Sequence, residues 1–284
     1  MSNHLKTTLL LTALSVLFIF IGRALGGEQG MVLAFIFAVV MNVGAYWFSD
    51  KIVLKMYQAQ PIDTTHPIYS LVHEIAQSAR MPMPRVYWMP SMTPNAFATG
   101  RNPQNGVVVV TEGLVKILNT QELKGVLAHE MGHIKNRDTL ISSIAATVAS
   151  SIVMLATMAK WAAIFGGSGN RRDNERGSGG MELLFMAILA PLAATLIQMA
   201  ISRSREFQAD ATGAQLTGGP LGLIEALKKI SYASQQAPMA QATPSTAHMF
   251  IVNPLCGSSL FKLFSTHPPL EERIEKLKNY RAYL

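Results

Sequence analysis

His129-Glu130-Met131-Gly132-His133 is the stretch of this chain best suited to chemistry. On a helix, residues four apart stand one above the other on one face. Both imidazoles can therefore reach a single tetrahedral metal ion while Glu130 lies beside the open coordination position. Two histidines and a further carboxylate hold Zn²⁺, one ion per chain, and leave a position for water. The metal lowers the pKa of that water, and Glu130 can take its proton as the oxygen attacks a polarised carbonyl. A decoy in the same chain sharpens the point: His73-Glu74-Ile75-Ala76-Gln77 begins identically but ends in Gln. It cannot offer two imidazoles, and it reads as the polar side of an amphipathic helix.

The second half of such a site is sought in Ser202-Arg203-Ser204-Arg205-Glu206-Phe207-Gln208-Ala209-Asp210. Glu206 and Asp210 are four apart on an expected helix, so both carboxylates face one way. Glu206 can be the third metal ligand. Asp210, one turn on, can accept a hydrogen bond from the ring N–H of a liganding histidine and fix its tautomer. Two further stretches keep two readings each. Asn95, Ala96, Phe97 and Ala98 form either an edge strand that receives a substrate backbone as an added strand, or a plain hairpin strand. His267, before two prolines, either stabilises an oxyanion or reversibly closes the fourth metal position, or is a structural cap.

The elements that must position these residues follow from periodicity. A helix from about 121 to 137 carries the histidines, with Thr120 as its N-cap and Glu112 and Glu122 as nearby acids. Residues 64–80 space Ile68, Leu71, Val72, Ile75 and Ala79 helically, and Pro82 and Pro84 stop that helix. Residues 85–89 and 107–111 are β-rich, with a turn at 102–106, which predicts a small sheet or hairpin. Residues 270–280 are amphipathic through Leu270, Ile274 and Leu277 and should dock on the core, while 235–248 lack periodicity and suit a loop over the cleft.

Composition then sets the surroundings. Of 284 residues 49% are hydrophobic and only 14% charged, too apolar for an ordinary soluble protein of this size. The charge of +7 suits an anionic membrane surface; the basic residues are scattered, which argues against nucleic acid as a partner. One cysteine, Cys256, excludes an intrachain disulfide. Apolar segments at about 7–25 and 30–48 predict an N-terminal membrane hairpin within residues 1–50, the second ending in Tyr46-Trp47 as an interfacial anchor. Segments at about 140–159 and 183–201 predict a second hairpin within 139–201, joined by a glycine-rich, flexible loop at 166–180. The protease-type domain is then divided between 51–138 and 202–284. An even number of spans between His133 and Glu206 keeps them on one side of the membrane, and the sequence offers two. Seven basic residues flank the spans on that side (Lys6, Lys51, Lys55, Lys135, Arg137, Arg203, Arg205) and five on the other (Arg23, Lys160, Arg171, Arg172, Arg176), which leans toward a cytosolic site.

Taken together, H-E-M-G-H, a membrane hairpin, S-R-S-R-E-F-Q-A-D, the upstream Asn95-Ala96-Phe97-Ala98 and Ser265-Thr266-His267-Pro268-Pro269 resemble the HtpX membrane metalloproteases, bacterial relatives of the eukaryotic prenyl-protein endopeptidases. The resemblance covers essentially the whole chain. It implies zinc ligands His129, His133 and Glu206 with Glu130 as general base, in a mainly α membrane protein of four transmembrane helices in two hairpins plus a zincin-like α+β domain with a small β-sheet. It also implies an endopeptidase of the bacterial cytoplasmic membrane, facing the cytosol, that cleaves misfolded or damaged membrane proteins in envelope stress; the oligomeric state stays unknown. From the residues alone three classes remain. The first is a zinc endopeptidase at the membrane surface. The second is an intramembrane protease, which Lys124, Lys135, Asn136, Arg137 and Asp138 around the motif make costly. The third is a non-enzymatic adaptor with a structural metal, for which Glu130 would have no use.

Overall fold

A computed structural model describes residues 3–144, 203–236, 251 and 268–280. The expected second membrane hairpin beyond residue 144, its loop at 166–180, most of the 235–248 stretch and His267 lie outside the described residues.

Helix α1 (Asn3–Met56) is helical throughout, yet it is folded on itself. The Asn42 amide donates to Ser15 Oγ at 2.8 Å and to the Leu11 carbonyl at 3.3 Å, and Phe18 meets Phe37 edge-on at 5.3 Å. A straight helix would separate Ser15 and Asn42 by about 40 Å. The chain reverses at Gly27, whose φ of +60° a glycine adopts without strain. The second arm, Gly27–Met56, is long and apolar enough to cross a membrane. It also runs past the expected end of the segment at residue 48. Val53, Leu54 and the following Tyr57 are buried against Met89, Phe97, Val107 and Val109, so the end of this arm forms one wall of the globular part.

That wall covers one face of a four-stranded sheet of order β1-β2-β4-β3, made of β1 (Gln60–Pro61), β2 (Arg85–Met89), β3 (Ala96–Thr99) and β4 (Val107–Thr111). β2 and β4 are parallel, Arg85 opposite Val107; β3 runs antiparallel to β4, Ala96 opposite Val110, and is the outer strand on that side, as β1 is on the other. Val107 to Val110 is a continuous apolar run because both faces of β4 are covered: Val107 and Val109 meet α1, while Val108 and Val110 meet the helical core.

The helical core comprises α2 (Pro67–Ala79), α3 (Glu112–Ile117), α4 (Thr120–Lys135), α5 (Arg203–Thr217), α6 (Leu221–Gln236) and α7 (Leu270–Lys278). The cap of α4 is Asn119 and not Thr120. Asn119 Oδ1 accepts from the Glu122 N–H at 3.0 Å and Glu122 Oε2 accepts from the Asn119 N–H at 2.9 Å, a reciprocal pair that Thr120 is one residue too late to make. Glu112 opens α3 instead, capped by Thr111. The expected loop at 235–248 begins as the last turn of α6.

α4 and α5 cross in backbone contact. A Cβ on Gly213 would stand 2.9 Å from the His129 nitrogen, and one on Gly132 would stand 3.1 Å from the Ala209 carbonyl oxygen. Glu206, Asp210 and Gly213 follow the helical spacing i, i+4, i+7, so the same bare face that admits α4 carries both carboxylates to the histidines.

Candidate active site

His129 and His133 project from one face of α4, as their spacing requires, with Nε2 atoms 3.2 Å apart. Glu206 on α5 closes the triangle: Oε1 lies 3.6 Å from His133 Nε2 and Oε2 lies 3.9 Å from His129 Nε2. The two remaining ring nitrogens each face a carboxylate. His129 Nδ1 donates to Asp210 Oδ1 at 2.9 Å, and His133 Nδ1 donates to Asp138 Oδ2 at 3.1 Å.

These bonds decide the chemistry of the pair. With Nδ1 of each ring donating to a carboxylate, each Nε2 of a neutral imidazole carries its lone pair, and the two point into the same small space beside a carboxylate. Two lone pairs and an anion converging there repel unless a cation stands between them. Burial disfavours a charged His133, but Asp138 and Glu206 outweigh it and lift its pKa to about 10, so a proton on His133 Nε2 is the positive charge that a metal ion binding there must displace. A tetrahedral ion bound at ordinary zinc–nitrogen lengths would hold two such nitrogens about 3.3 Å apart. Histidine, histidine and glutamate, with ligand atoms all within 4.8 Å of one another, therefore fit a metal ion.

Three more groups tune the site. Glu130 is buried, and burial lifts its carboxyl to about 7, with the Glu206 charge adding to the effect. A backbone hydrogen bond from Ala98, on the outer strand, joins Glu130 to that strand and pulls the other way. Arg273, from α7, is only 2% exposed and is missing from the sequence reading of the site. Its Nη2 and Nε donate to Asp210 Oδ1 and Oδ2 at 2.6 and 2.9 Å, and its Nη1 donates to the Ile251 carbonyl at 3.0 Å. Burial alone would neutralise both partners. Their attraction wins, holding Asp210 at about 2 and Arg273 above the ordinary arginine value. Asp138, read from sequence only as a charge near the motif, is the second such addition. Burial pushes His129 below the usual imidazole range, against the pull of Asp210, which keeps it a neutral lone-pair donor.

The residues read as substrate-binding fall into two groups. Asn95 is buried, and its Oδ1 accepts from the N–H groups of Ala96 and Ile251 at 2.9 and 3.0 Å; Phe97 packs in the core under Tyr57. Ala96 and Ala98 are buried and alternate with Asn95, whose backbone pairs with Thr111, so their own N–H and C=O groups turn away from β4; the Ala96 N–H is held by Asn95 Oδ1 and the Ala98 N–H by Glu130, which leaves the two carbonyls toward the outer edge. His267 lies outside the described residues.

Comparison with known proteins gives the family. Residues 63–281 match peptidase family M48. The chain belongs to that family. As an M48 member it is a metalloprotease, and the group His129, His133 and Glu206 is where this chain could offer a metal its ligands. Across the family the chain is 58% identical over 281 residues to a Protease HtpX homolog of Syntrophobacter fumaroxidans, covering 98% of this chain and 100% of that protein. It is 50% identical over 280 residues to Protease HtpX of Legionella pneumophila, covering 98% and 99%. Its fold resembles the crystal structure of S. mikatae Ste24p with a TM-score of 0.51 at 20% identity, covering 97% of this chain and 65% of that one.

Proposed function

We infer that this M48 member is a multi-pass zinc endopeptidase of the bacterial cytoplasmic membrane, its site on the cytosolic side, cleaving misfolded or damaged membrane proteins in envelope stress. The observation that carries the zinc peptidase reading is the facing pair of Nε2 atoms closed by Glu206, with Glu130 one residue along the same helix. A zinc ion bound there would supply Lewis acidity and lower the pKa of water to about 7. His129, His133 and Glu206 are the groups that would hold it.

The chain's own residues supply the rest. Glu130, near neutrality in its buried setting, accepts the proton released as water attacks the peptide carbonyl and delivers it to the departing amine. Asp210 and Asp138 keep both imidazoles in the tautomer that leaves Nε2 free. An extended peptide added at the outer edge of β3 would bond the carbonyls of Ala96 and Ala98, a mode that reads backbone and tolerates many side chains, as cleavage of damaged proteins needs. The Ala98 N–H, bonded to Glu130, supports only the nearness of that strand to the proton acceptor and is not itself a donor to the peptide.

The membrane reading draws on the apolar Gly27–Met56 arm and on the position of the sheet at its far end, against Val53, Leu54 and Tyr57. Such an arrangement favours proteolysis at the membrane surface over proteolysis within the bilayer. The test is zinc content and casein cleavage by detergent-purified wild type and Glu130→Gln. Zinc retained with cleavage reduced by about 10²-fold or more supports the reading. If both forms hold zinc and neither cuts casein or an unfolded membrane protein, a structural-metal adaptor replaces it.

A further inference from the structure

Away from the metal site, a cavity of about 530 Å³ opens between the end of the apolar arm of α1 and the starts of β2 and β4. Its wall joins two chemistries. α1 contributes Trp47 and Phe48, each about half exposed, while Lys51, Arg85 and Arg101 contribute three cations against the single carboxylate of Asp50. Arg85 donates to Asp50 at 2.6 Å, so these two charges cancel. Lys51 and Arg101 remain. The Lys51 ammonium lies 5.4 Å from the Phe48 ring centroid and the Arg101 guanidinium 4.2 Å from that of Trp47. An aromatic face fixes a cation in place without discharging it, so both stay available to an anion.

What leads to the cavity identifies the anion. Ile36, Val40, Val43 and Trp47 are exposed and follow helical spacing, a continuous apolar stripe that ends where the cations begin. Tryptophan at such a boundary is the usual marker of the membrane interface. An apolar stripe leading into a pocket of net positive charge matches a molecule with acyl chains below and a phosphate above.

We propose that this cavity binds the headgroup phosphate of an anionic phospholipid, held by Lys51 and Arg101, with its acyl chains lying along Ile36, Val40 and Val43. The site fastens the end of α1, and with it the sheet that carries β3, to the surface of the bilayer. The inference rests on the reading that the second arm of α1 lies in the membrane.

The experiment reconstitutes full-length protein into vesicles of equimolar phosphatidylglycerol and phosphatidylcholine, extracts it in mild detergent and counts retained lipids by native mass spectrometry. Wild type should retain phosphatidylglycerol in preference to phosphatidylcholine. Lys51→Gln and Arg101→Gln should each reduce that preference about fivefold, while Arg101→Lys keeps most of it. Lys55→Gln, one turn beyond the cavity, is the control; if it lowers the preference as much as Lys51→Gln, the attraction is diffuse and the site is disproved. Equal retention of both lipids by wild type also overturns it. A separate arm adds inorganic phosphate to wild type: lipid that stays bound supports the lipid site, and displacement at millimolar phosphate means a free-anion site instead. Flotation with pure phosphatidylcholine vesicles reports on the membrane itself. Protein that fails to float there refutes the membrane reading and this inference together, whereas protein that floats but shows no lipid preference refutes this inference alone.

Discussion

The two histidines of the candidate metal site have equivalent roles and unlike supports. His129 has 1% of its side chain exposed and is oriented by Asp210, itself gripped at both oxygens by a buried arginine from the last described helix. His133 has 17% exposed and is oriented by Asp138, five residues along, whose other oxygen is buried with no hydrogen-bond partner among the described residues. The first support closes over 63 residues from Asp210 to Arg273; the second is a local turn. His129 thus reports whether the C-terminal segment has docked, while His133 is positioned as soon as α4 ends. The site is complete only in the folded whole.

Breaking the long-range support should give the largest effect. Arg273→Met removes the cation and leaves Asp210 buried beside His129 alone, and losing one member of a buried pair costs about 3–5 kcal/mol. Urea unfolding should show that loss, accompanied by loss of zinc. The double variant Arg273→Met with Asp210→Asn removes both charges and should recover much of the stability. It should not recover zinc affinity, because the neutral amide of Asp210→Asn cannot support His129 as a carboxylate does. If the double variant is no more stable than Arg273→Met, the pair is not what holds α7 to α5.

The local support should behave differently. Asp138→Asn is expected to weaken zinc binding by about 10–100-fold while moving the unfolding midpoint less than Arg273→Met does, since Asp138 hydrogen-bonds one side chain, His133, and only faces the buried Arg205 charge without gripping it. Competition with a chelator checks the first part and thermal unfolding of the zinc-free protein the second. A fall in stability as large as that of Arg273→Met would erase the distinction between the two histidines.

Both supports also need α4 and α5 at backbone distance. Gly213→Ala sets a methyl 2.9 Å from the His129 nitrogen, and overpacking of this kind costs about 1–3 kcal/mol. Because the displaced atom belongs to His129, zinc affinity should fall together with stability. A stable Gly213→Ala protein with wild-type zinc binding would mean the helices separate freely.

Much of this arrangement is legible in the sequence because helical spacing is a local property. His129, His133, Glu206 and Asp210 lie on readable faces, and the Val107 to Val110 run announces a strand. What escapes is whatever depends on a distant partner. The parallel pairing of β2 with β4 is a matter of register between separated segments. α1 looks finished at Asp50 and Lys51, yet it continues because Arg85 neutralises Asp50 and Val53 and Leu54 find the sheet. Arg273 leaves one trace: it stands three residues after Leu270 and four before Leu277, on the apolar stripe of its helix, where a charge demands a buried counterion. Nothing local names Asp210 as that counterion. The α4 cap escapes for a smaller reason, two adjacent capping residues of which only Asn119 stands three before Glu122.

That cap supplies the smallest and most separable perturbation. Glu122 lies at the opposite end of α4 from His133, accepting from the Asn119 N–H at 2.9 Å and from Lys229 Nζ at 2.8 Å. Burial works to raise its pKa, but these two donors prevail and hold it below the ordinary glutamate value. A depressed folded-state pKa stabilises above the unfolded value and is lost as pH falls through the folded one, so this contribution is present at neutral pH and fades below about 4.5. Glu122→Gln should cost about 1 kcal/mol at pH 7 and flatten that part of the acid limb, measured by urea unfolding across the pH range. Its folded form should bind zinc as wild type does, because neither histidine's carboxylate partner is touched. Weakened zinc binding in fully folded Glu122→Gln would mean that strain travels the length of α4, and the contrast between a distant and a local support would then understate how the helix itself holds both ligands.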